Sequence, residues 1–161
     1  MRKSPALLDA APESRPRVVL IDSRPDRMGV MRALLEGTGL AAVVGEANTK
    51  AAAVEEVGKS LPDVAFVEIQ IPVAEGLQTV AELHDAFPQV RIVVCSFHQD
   101  AETLARAREN GADAYLDKPV DFTGLRKLLA KFSADLKAAQ EHDAALRGEG
   151  DPSPGTRTVD A

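Results

Sequence analysis

Short apolar runs rich in β-branched residues alternate with segments of helical periodicity through the middle of the chain. The runs predict five strands, over residues 18–21, 41–46, 64–69, 90–96 and 114–116. Apolar positions three or four residues apart predict a helix after each strand, from about Pro25 to Glu36, from a cap at Asn48 to Pro62, from Leu77 to Pro88, over residues 100–110, and from about Asp121 onward. Because no hairpin dipeptide joins the strands, the pattern predicts an α/β fold with a doubly wound parallel sheet.

The last helix is predicted to extend beyond the sheet. Its apolar positions fall at heptad spacing, with Asp143 as a polar interruption, at Leu125, Leu129, Phe132, Leu136, Ala139 and Leu146. The first half is expected to pack on the sheet, whereas residues 132–146 have no sheet beneath them. Because an isolated helix of this length is marginal in water, that part either frays or pairs with another chain, and we expect a homodimer.

The two ends of the chain differ in composition from the middle. Residues 1–16 contain three prolines and lack apolar periodicity, and residues 147–161 are rich in Gly, Pro and Ser. We expect a disordered leader and a disordered tail around a domain over residues 17–131 and a helical extension over residues 132–146. With only the tail following, the protein is expected to be stand-alone.

Composition excludes several classes of function. The 161 residues carry a net charge of −6, which disfavours nucleic-acid and anionic-membrane partners. No apolar run approaches the ~20 residues that a membrane-spanning helix needs. The single cysteine, Cys95, excludes an internal disulfide and suits a reducing compartment, so a cytoplasmic location is expected.

Polar side chains stand at or beyond the ends of the predicted strands. Asp22 and Ser23 follow the first strand, Glu68 lies near the end of the third, Ser96 ends the fourth, and Lys118 follows the fifth. Ligands of open parallel sheets bind outside the carboxyl ends of the strands, so these side chains are expected to converge there.

Five separated motifs resemble the receiver domain of bacterial two-component response regulators, over residues 17–130: Asp22 after an apolar strand, Pro62-Asp63 through Glu68 to Pro72 and Gly76, Ser96 after Val93-Val94-Cys95, Gly111-Ala112 followed by Tyr115-Leu116, and Lys118-Pro119. The resemblance implies a flavodoxin-like (βα)5 fold with strand order 2-1-3-4-5. It also implies that Glu68 stands where relatives accept a phosphoryl group from a histidine kinase. Lys118 and Ser96 then match the groups that grip that phosphoryl group, and Tyr115 matches the switch aromatic.

Two departures from the family bear on the chemistry. Ser23 replaces the second member of an acidic pair, and Glu68 replaces the phosphate-accepting aspartate. The implied Mg²⁺ ligands are Asp22, Glu68 and the backbone carbonyl of Gln70, so the loss of a carboxylate at position 23 should weaken the ion. The glutamate carboxylate also lies roughly 1.5 Å further out, and a displacement of about 1 Å can cost on the order of a hundredfold in rate. Phosphorylation is therefore disfavoured, and no cofactor is expected to be required.

The extra methylene suggests another role for Glu68. A permanent carboxylate could pair with Lys118 and accept a hydrogen bond from Ser96, as a partial mimic of a phosphoryl group whose charge is about −1.5 to −2. The alternatives are a decayed site that retains only a structural ion pair, and a receiver that still accepts a phosphoryl group with Mg²⁺. Phe97 either roofs the pocket or anchors its loop.

The expected function is thus an atypical receiver that is not an enzyme and acts by binding a protein. The implied surface is the face formed by the fourth helix, fifth strand and fifth helix. A flavodoxin-like cofactor binder is disfavoured because the loops after the first and third strands lack a phosphate cradle. A phosphatase is disfavoured because no second carboxylate follows Asp22 closely.

Overall fold

The computed structural model describes residues 15–70, 73–97 and 100–148, so most of the predicted leader (1–14) and tail (149–161) lies outside the described residues. Five strands and five helices alternate along the described chain. The strands are β1 (Arg17–Ile21), β2 (Ala42–Ala47), β3 (Val64–Glu68), β4 (Arg91–Ser96) and β5 (Ala114–Asp117). The helices are α1 (Pro25–Gly37), α2 (Lys50–Ser60), α3 (Val73–Ala86), α4 (Ala101–Glu109) and α5 (Phe122–Leu146).

The strands form one parallel sheet in the order β2-β1-β3-β4-β5, which confirms the predicted flavodoxin-like topology. The sheet separates two layers of core. On one face, Val19 and Ile21 of β1 pack with buried residues of α2, α3 and α4. On the other face, Val18 and Leu20 pack with α1 and α5. The continuous apolar run of β1 is explained by this burial on both sides.

Local capping sets where the helices begin. The predicted cap at Asn48 is wrong by one residue, because the Thr49 side chain accepts the hydrogen bond from the Ala52 amide at 3.1 Å. Asp100 and Asp121 cap α4 and α5. These caps satisfy amide groups that a helix leaves unpaired in its first turn.

Helix α5 has 25 residues and ends at Leu146, as predicted. Leu125, Leu129 and Phe132, however, are almost fully buried in the chain's own core. Their predicted place in a dimer seam is therefore wrong. Leu136 is half-buried and Ala139 is exposed, while Leu146 is 73% exposed. An ion pair of 2.8 Å between Arg91 and Asp135 ties the start of the extension to β4.

Among the described residues, α5 included, no helix combines the length and the apolar character that a membrane crossing requires.

Candidate functional site

The carboxyl ends of the strands bring an ion pair to the centre of one edge of the sheet. Glu68 ends β3 and Lys118 follows β5, and the lysine Nζ contacts Glu68 Oε2 directly. The two side chains are only 4% and 10% exposed, respectively. The ion pair expected between these residues is therefore present, and it is buried.

A second cation, Arg27, also faces Glu68, and the sequence analysis did not identify it. It lies in the first turn of α1, with its Nη1 3.9 Å from Glu68 Oε1. That oxygen is buried and has no hydrogen-bond partner among the described residues. The two oxygens of one carboxylate thus face two different cations. A cation in the helix that follows Asp22 is the signal that could have predicted this contact.

The ring of Phe97 covers both cations. Its centroid lies 5.8 Å from the guanidinium carbon of Arg27 and 5.8 Å from Nζ of Lys118, which is within the range of a cation–π interaction. The side chain itself is 56% exposed. Phe97 therefore roofs the ion pair, which is one of the two positions anticipated for it.

Ser96 does not contact Glu68, so the hydrogen bond predicted between them is wrong. Ser96 is fully buried, and its hydroxyl donates to the Ile69 carbonyl at 3.0 Å. The reason is register: Glu68 pairs with Cys95 across the sheet, and successive side chains of a strand point to opposite faces. Glu68 therefore lies on the face of α1 and α5, whereas Ser96 lies on the other.

Tyr115 lies on the same face of the sheet as Ser96, because it pairs with Val94. Tyr115 is half-buried, and its hydroxyl is hydrogen-bonded to Ser96. Burial raises the pKa of Tyr115, and the bond to Ser96 opposes that rise. The aromatic residue is thus linked to β4 rather than to the carboxylate.

Asp22 is buried beside this site and is held by donors of the protein. Its Oδ1 accepts hydrogen bonds from the Arg24 amide at 2.8 Å and from the Gln70 side-chain amide at 3.0 Å. Ser23 is exposed and supplies no carboxylate. Gln70 therefore contacts Asp22 by donating a hydrogen bond from its side-chain amide.

Burial is the largest influence on Glu68 and raises its pKa above the usual value. The hydrogen bond and positive charge of Lys118 oppose this rise, and so does Arg27, while the neighbouring Asp22 charge adds to it. Glu68 is therefore a carboxylate whose ionised form depends on its two cations.

The donor set does not fit the Mg²⁺ ion that the resemblance implies. Magnesium requires oxygen ligands in near-octahedral geometry. Within residues 15–70, 73–97 and 100–148, no group of three or more acidic, histidine or cysteine side chains is placed to hold a metal. One oxygen of Asp22 already accepts two hydrogen bonds, and both oxygens of Glu68 face cations of the protein. Asp22 and Glu68, the two carboxylates proposed as ligands, are thus engaged with donors and cations of the protein, and the Gln70 side chain is one of those donors.

Two depressions border the site. A polar cleft of about 320 Å³ lies at the ends of β1 and β3 beside the start of α2, and Asp22 and Glu68 line it. A more apolar groove of about 370 Å³ lies between α1 and the segment after β5, with Phe97 at its rim. The Glu68 side chain therefore borders the polar cleft and is itself only 4% exposed.

Comparison with known proteins identifies relatives of the chain. A family model described as the response regulator receiver domain matches residues 18–130. The probable transcriptional regulatory protein NarL of Mycobacterium tuberculosis is 37% identical over 103 residues, which are 63% of this chain and 47% of that protein. The alginate biosynthesis transcriptional regulatory protein AlgB of Pseudomonas syringae is 28% identical over 142 residues, which are 88% of this chain and 31% of that protein. The chain thus spans about half or less of the length of these two relatives.

Solved structures show the same architecture. The signal receiver domain of a modulated diguanylate cyclase from Desulfovibrio desulfuricans aligns with a TM-score of 0.66 and 28% identity, and the match covers 78% of this chain and 98% of that one. A two-component response regulator of the LuxR family from Aurantimonas aligns with a TM-score of 0.68 and 25% identity, covering 75% of this chain and 86% of that one.

Proposed function

Because the chain belongs to the response regulator receiver domain family of two-component signalling, we propose that it takes part in such signalling without being phosphorylated. In this proposal Glu68 is a fixed charge that replaces part of the phosphoryl group of other receivers. The observation that carries the proposal is the burial of the Glu68 carboxylate between Lys118 and Arg27.

The covered position of Glu68 argues against attack on a phosphodonor. Phosphoryl transfer depends on positioning and on a metal ion that neutralises the phosphoryl oxygens. Glu68 is 4% exposed, its neighbours do not fit a metal, and Phe97 lies over the two cations that face it. A donor would therefore meet a carboxylate that is already paired with Lys118 and Arg27.

The contacts of Glu68 support partial mimicry of a phosphoryl group. Lys118 is engaged by the carboxylate, as the resemblance implies for a phosphorylated aspartate. Ser96, the second group expected to grip it, is bonded elsewhere. With a charge of −1 against about −1.5 to −2 for a phosphoryl group, Glu68 makes one of the two contacts.

We place the output of the domain on the face formed by α4, β5 and α5, through binding of a protein partner. Tyr115 supports this placement, because its bond to Ser96 connects β5 to the end of β4. Lys118, which follows β5, connects Glu68 to the same face. Cytoplasmic location, lack of nucleic-acid binding and lack of enzymatic activity remain predictions from the composition and the family.

A phosphodonor experiment tests phosphorylation independence. The whole chain is incubated with acetyl phosphate and Mg²⁺, and its intact mass is measured. We expect no phosphoryl adduct, whereas the Ser23→Asp, Glu68→Asp double variant, which restores the acidic pair and the acceptor, should acquire one. An adduct on the unmodified chain would overturn the proposal.

A second experiment tests mimicry. Glu68→Gln keeps the shape and removes the charge, and we expect amide NMR signals of β5 and the start of α5 to shift. Glu75→Gln, an exposed residue at the start of α3, is the matched control. Shifts confined to the neighbours of position 68 would refute mimicry and indicate that Glu68 forms only a structural ion pair.

A further inference from the structure

We propose that Arg27 is the resident counter-ion of Glu68, so that this receiver neutralises its acidic site with a side chain of its own instead of a divalent cation. The inference deepens the proposed function and relies on it only in taking Glu68 as a permanently charged group. It starts from the disagreement between the donor set of the site and the Mg²⁺ ion implied by the family.

Charge balance is the first argument. The family pattern places three carboxylates and one lysine at this edge, an excess of negative charge that suits a divalent cation. Here Ser23 removes one carboxylate, and the other two are Glu68, which faces Lys118 and Arg27, and Asp22, whose charge acts on Glu68. With Arg27, two carboxylates meet two cations. A divalent ion added to this group would leave it with an excess of positive charge.

Geometry is the second argument. The Arg27 guanidinium lies 3.9 Å from Glu68 Oε1, the oxygen that Lys118 does not contact. This oxygen is buried without a hydrogen bond from the described residues, so the guanidinium is the positive group that compensates it. Burial of an ionised carboxylate requires such compensation. A metal ion bound to Oε1 would have to displace Arg27.

Phe97 keeps the guanidinium in place. The Arg27 side chain is 36% exposed and would otherwise be free to extend into water. The ring of Phe97 lies 5.8 Å from its guanidinium carbon, on the side of the site that faces solvent. The same ring lies over Lys118, so one aromatic side chain restrains both cations. Phe97→Ala should therefore weaken the exclusion of metal in the same direction as the loss of Arg27.

The affinity of the whole chain for Mn²⁺, followed by the EPR signal of the free ion, tests the proposal. We expect Arg27→Ala to bind Mn²⁺ at least tenfold more tightly than the unmodified chain. Arg27→Met, which keeps the apolar stem, should show the same gain if the positive charge excludes the ion. Adding Glu68→Gln to Arg27→Ala should abolish the gain in Mn²⁺ affinity, because it removes the carboxylate that the loss of Arg27 makes available to the ion.

Arg24→Ala is the matched control. Arg24 precedes α1 by one residue and pairs with the exposed Asp26 at 3.4 Å, and its contact with Asp22 is made by the backbone amide, which the substitution retains. Its Mn²⁺ affinity should equal that of the unmodified chain. Circular dichroism of each variant verifies that it is folded.

Three results would overturn the proposal: tight Mn²⁺ binding by the unmodified chain, no gain in either Arg27 variant, or an equal gain in Arg24→Ala. Because the measurement uses neither a phosphodonor nor a partner, its failure is distinguishable from failure of the proposed function. A chain that binds Mn²⁺ but gains no phosphoryl group would refute the counter-ion and leave phosphorylation independence intact.

Discussion

Replacing Lys118 with methionine tests how strongly the buried ion pair holds the site together. The side chain of Lys118 is 10% exposed and that of Glu68 is 4% exposed, so neither charge is well hydrated. Methionine fills a similar volume and removes only the charge and its hydrogen-bond donors. The carboxylate is then left with Arg27, at 3.9 Å, as its remaining cation.

The expected loss of stability follows from these contacts. Breaking a buried pair by removing one partner costs about 3–5 kcal/mol. Because Arg27 remains and Glu68 can take up a proton, we expect the lower end, about 3 kcal/mol at pH ~7. For a chain of this size each kcal/mol lowers the unfolding midpoint by roughly 2–4 °C, so the midpoint should fall by roughly 6–12 °C.

The loss should depend on pH in a defined direction. Burial raises the pKa of Glu68 in the folded protein above the value of 4.5 expected for the unfolded chain, and Lys118 opposes that rise. A carboxyl group with a raised folded-state pKa destabilises the fold when it is ionised, and this cost disappears as the pH falls through the folded pKa toward 4.5. Without Lys118 the pKa of Glu68 rises further, so the deficit of the variant should be largest near neutral pH and shrink in mild acid.

Urea unfolding at about pH 7 and about pH 5 measures both effects. The chains are the unmodified protein, Lys118→Met, Glu68→Gln and the double variant. The double variant should recover most of the stability lost in Lys118→Met, because no unpaired carboxylate remains buried. Lys127→Met, an exposed lysine of α5, should stay within about 0.5 kcal/mol. Equal losses in the single and double variants, or a deficit that does not shrink in acid, would refute the reasoning.

Three further predictions concern the core and the last helix. Leu129→Ala should lower the free energy of unfolding by about 2–5 kcal/mol because Leu129 is fully buried, whereas Leu146→Ala, at a position that is 73% exposed, should change it by less than about 0.5 kcal/mol; urea titration measures both. Burial raises the pKa of the Cys95 thiol, so a chromogenic disulfide reagent should label it only as urea unfolds the chain, and rapid labelling of the native protein would contradict its burial. If the exposed end of α5 pairs two chains, light scattering should give a dimer for the full chain and a monomer for a chain ending at Ala134. The same number of subunits in both would refute dimerisation through α5.

The sequence pattern was sufficient for the five strands and their parallel sheet because it is local, whereas the strand order was expected from the resemblance to the receiver family. A run such as Val18–Ile21 is apolar on both faces and is understandable only as a central strand between two layers of helices. The rule that ligands bind at the carboxyl ends of parallel strands then predicts that Glu68 and Lys118 lie close together.

The contacts that the sequence did not predict depend on how elements dock against one another. Arg27 reaches Glu68 because the neighbouring Met28 is buried against the sheet, which sets the rotation of α1. The misassigned bond of Ser96 has the same origin, since the register of β3 against β4 decides which side chain faces Glu68. Helix rotation and strand register are properties of tertiary packing, and neither can be read from residue spacing within one element.

Two hypotheses for Glu68, a mimic of phosphorylation and a remnant ion pair, differ in whether its charge affects residues beyond its direct contacts. A phosphoryl group offers three acceptor oxygens, whereas Glu68 has two. Lys118 contacts one of them and Arg27 faces the other, so neither is available to Ser96 on the opposite face. Glu68 therefore holds the segment after β5 through Lys118, while Ser96 and Tyr115 stay bonded to each other. Removal of Arg27 would release one oxygen without bringing it to Ser96, so any mimicry must act through Lys118 and the start of α5.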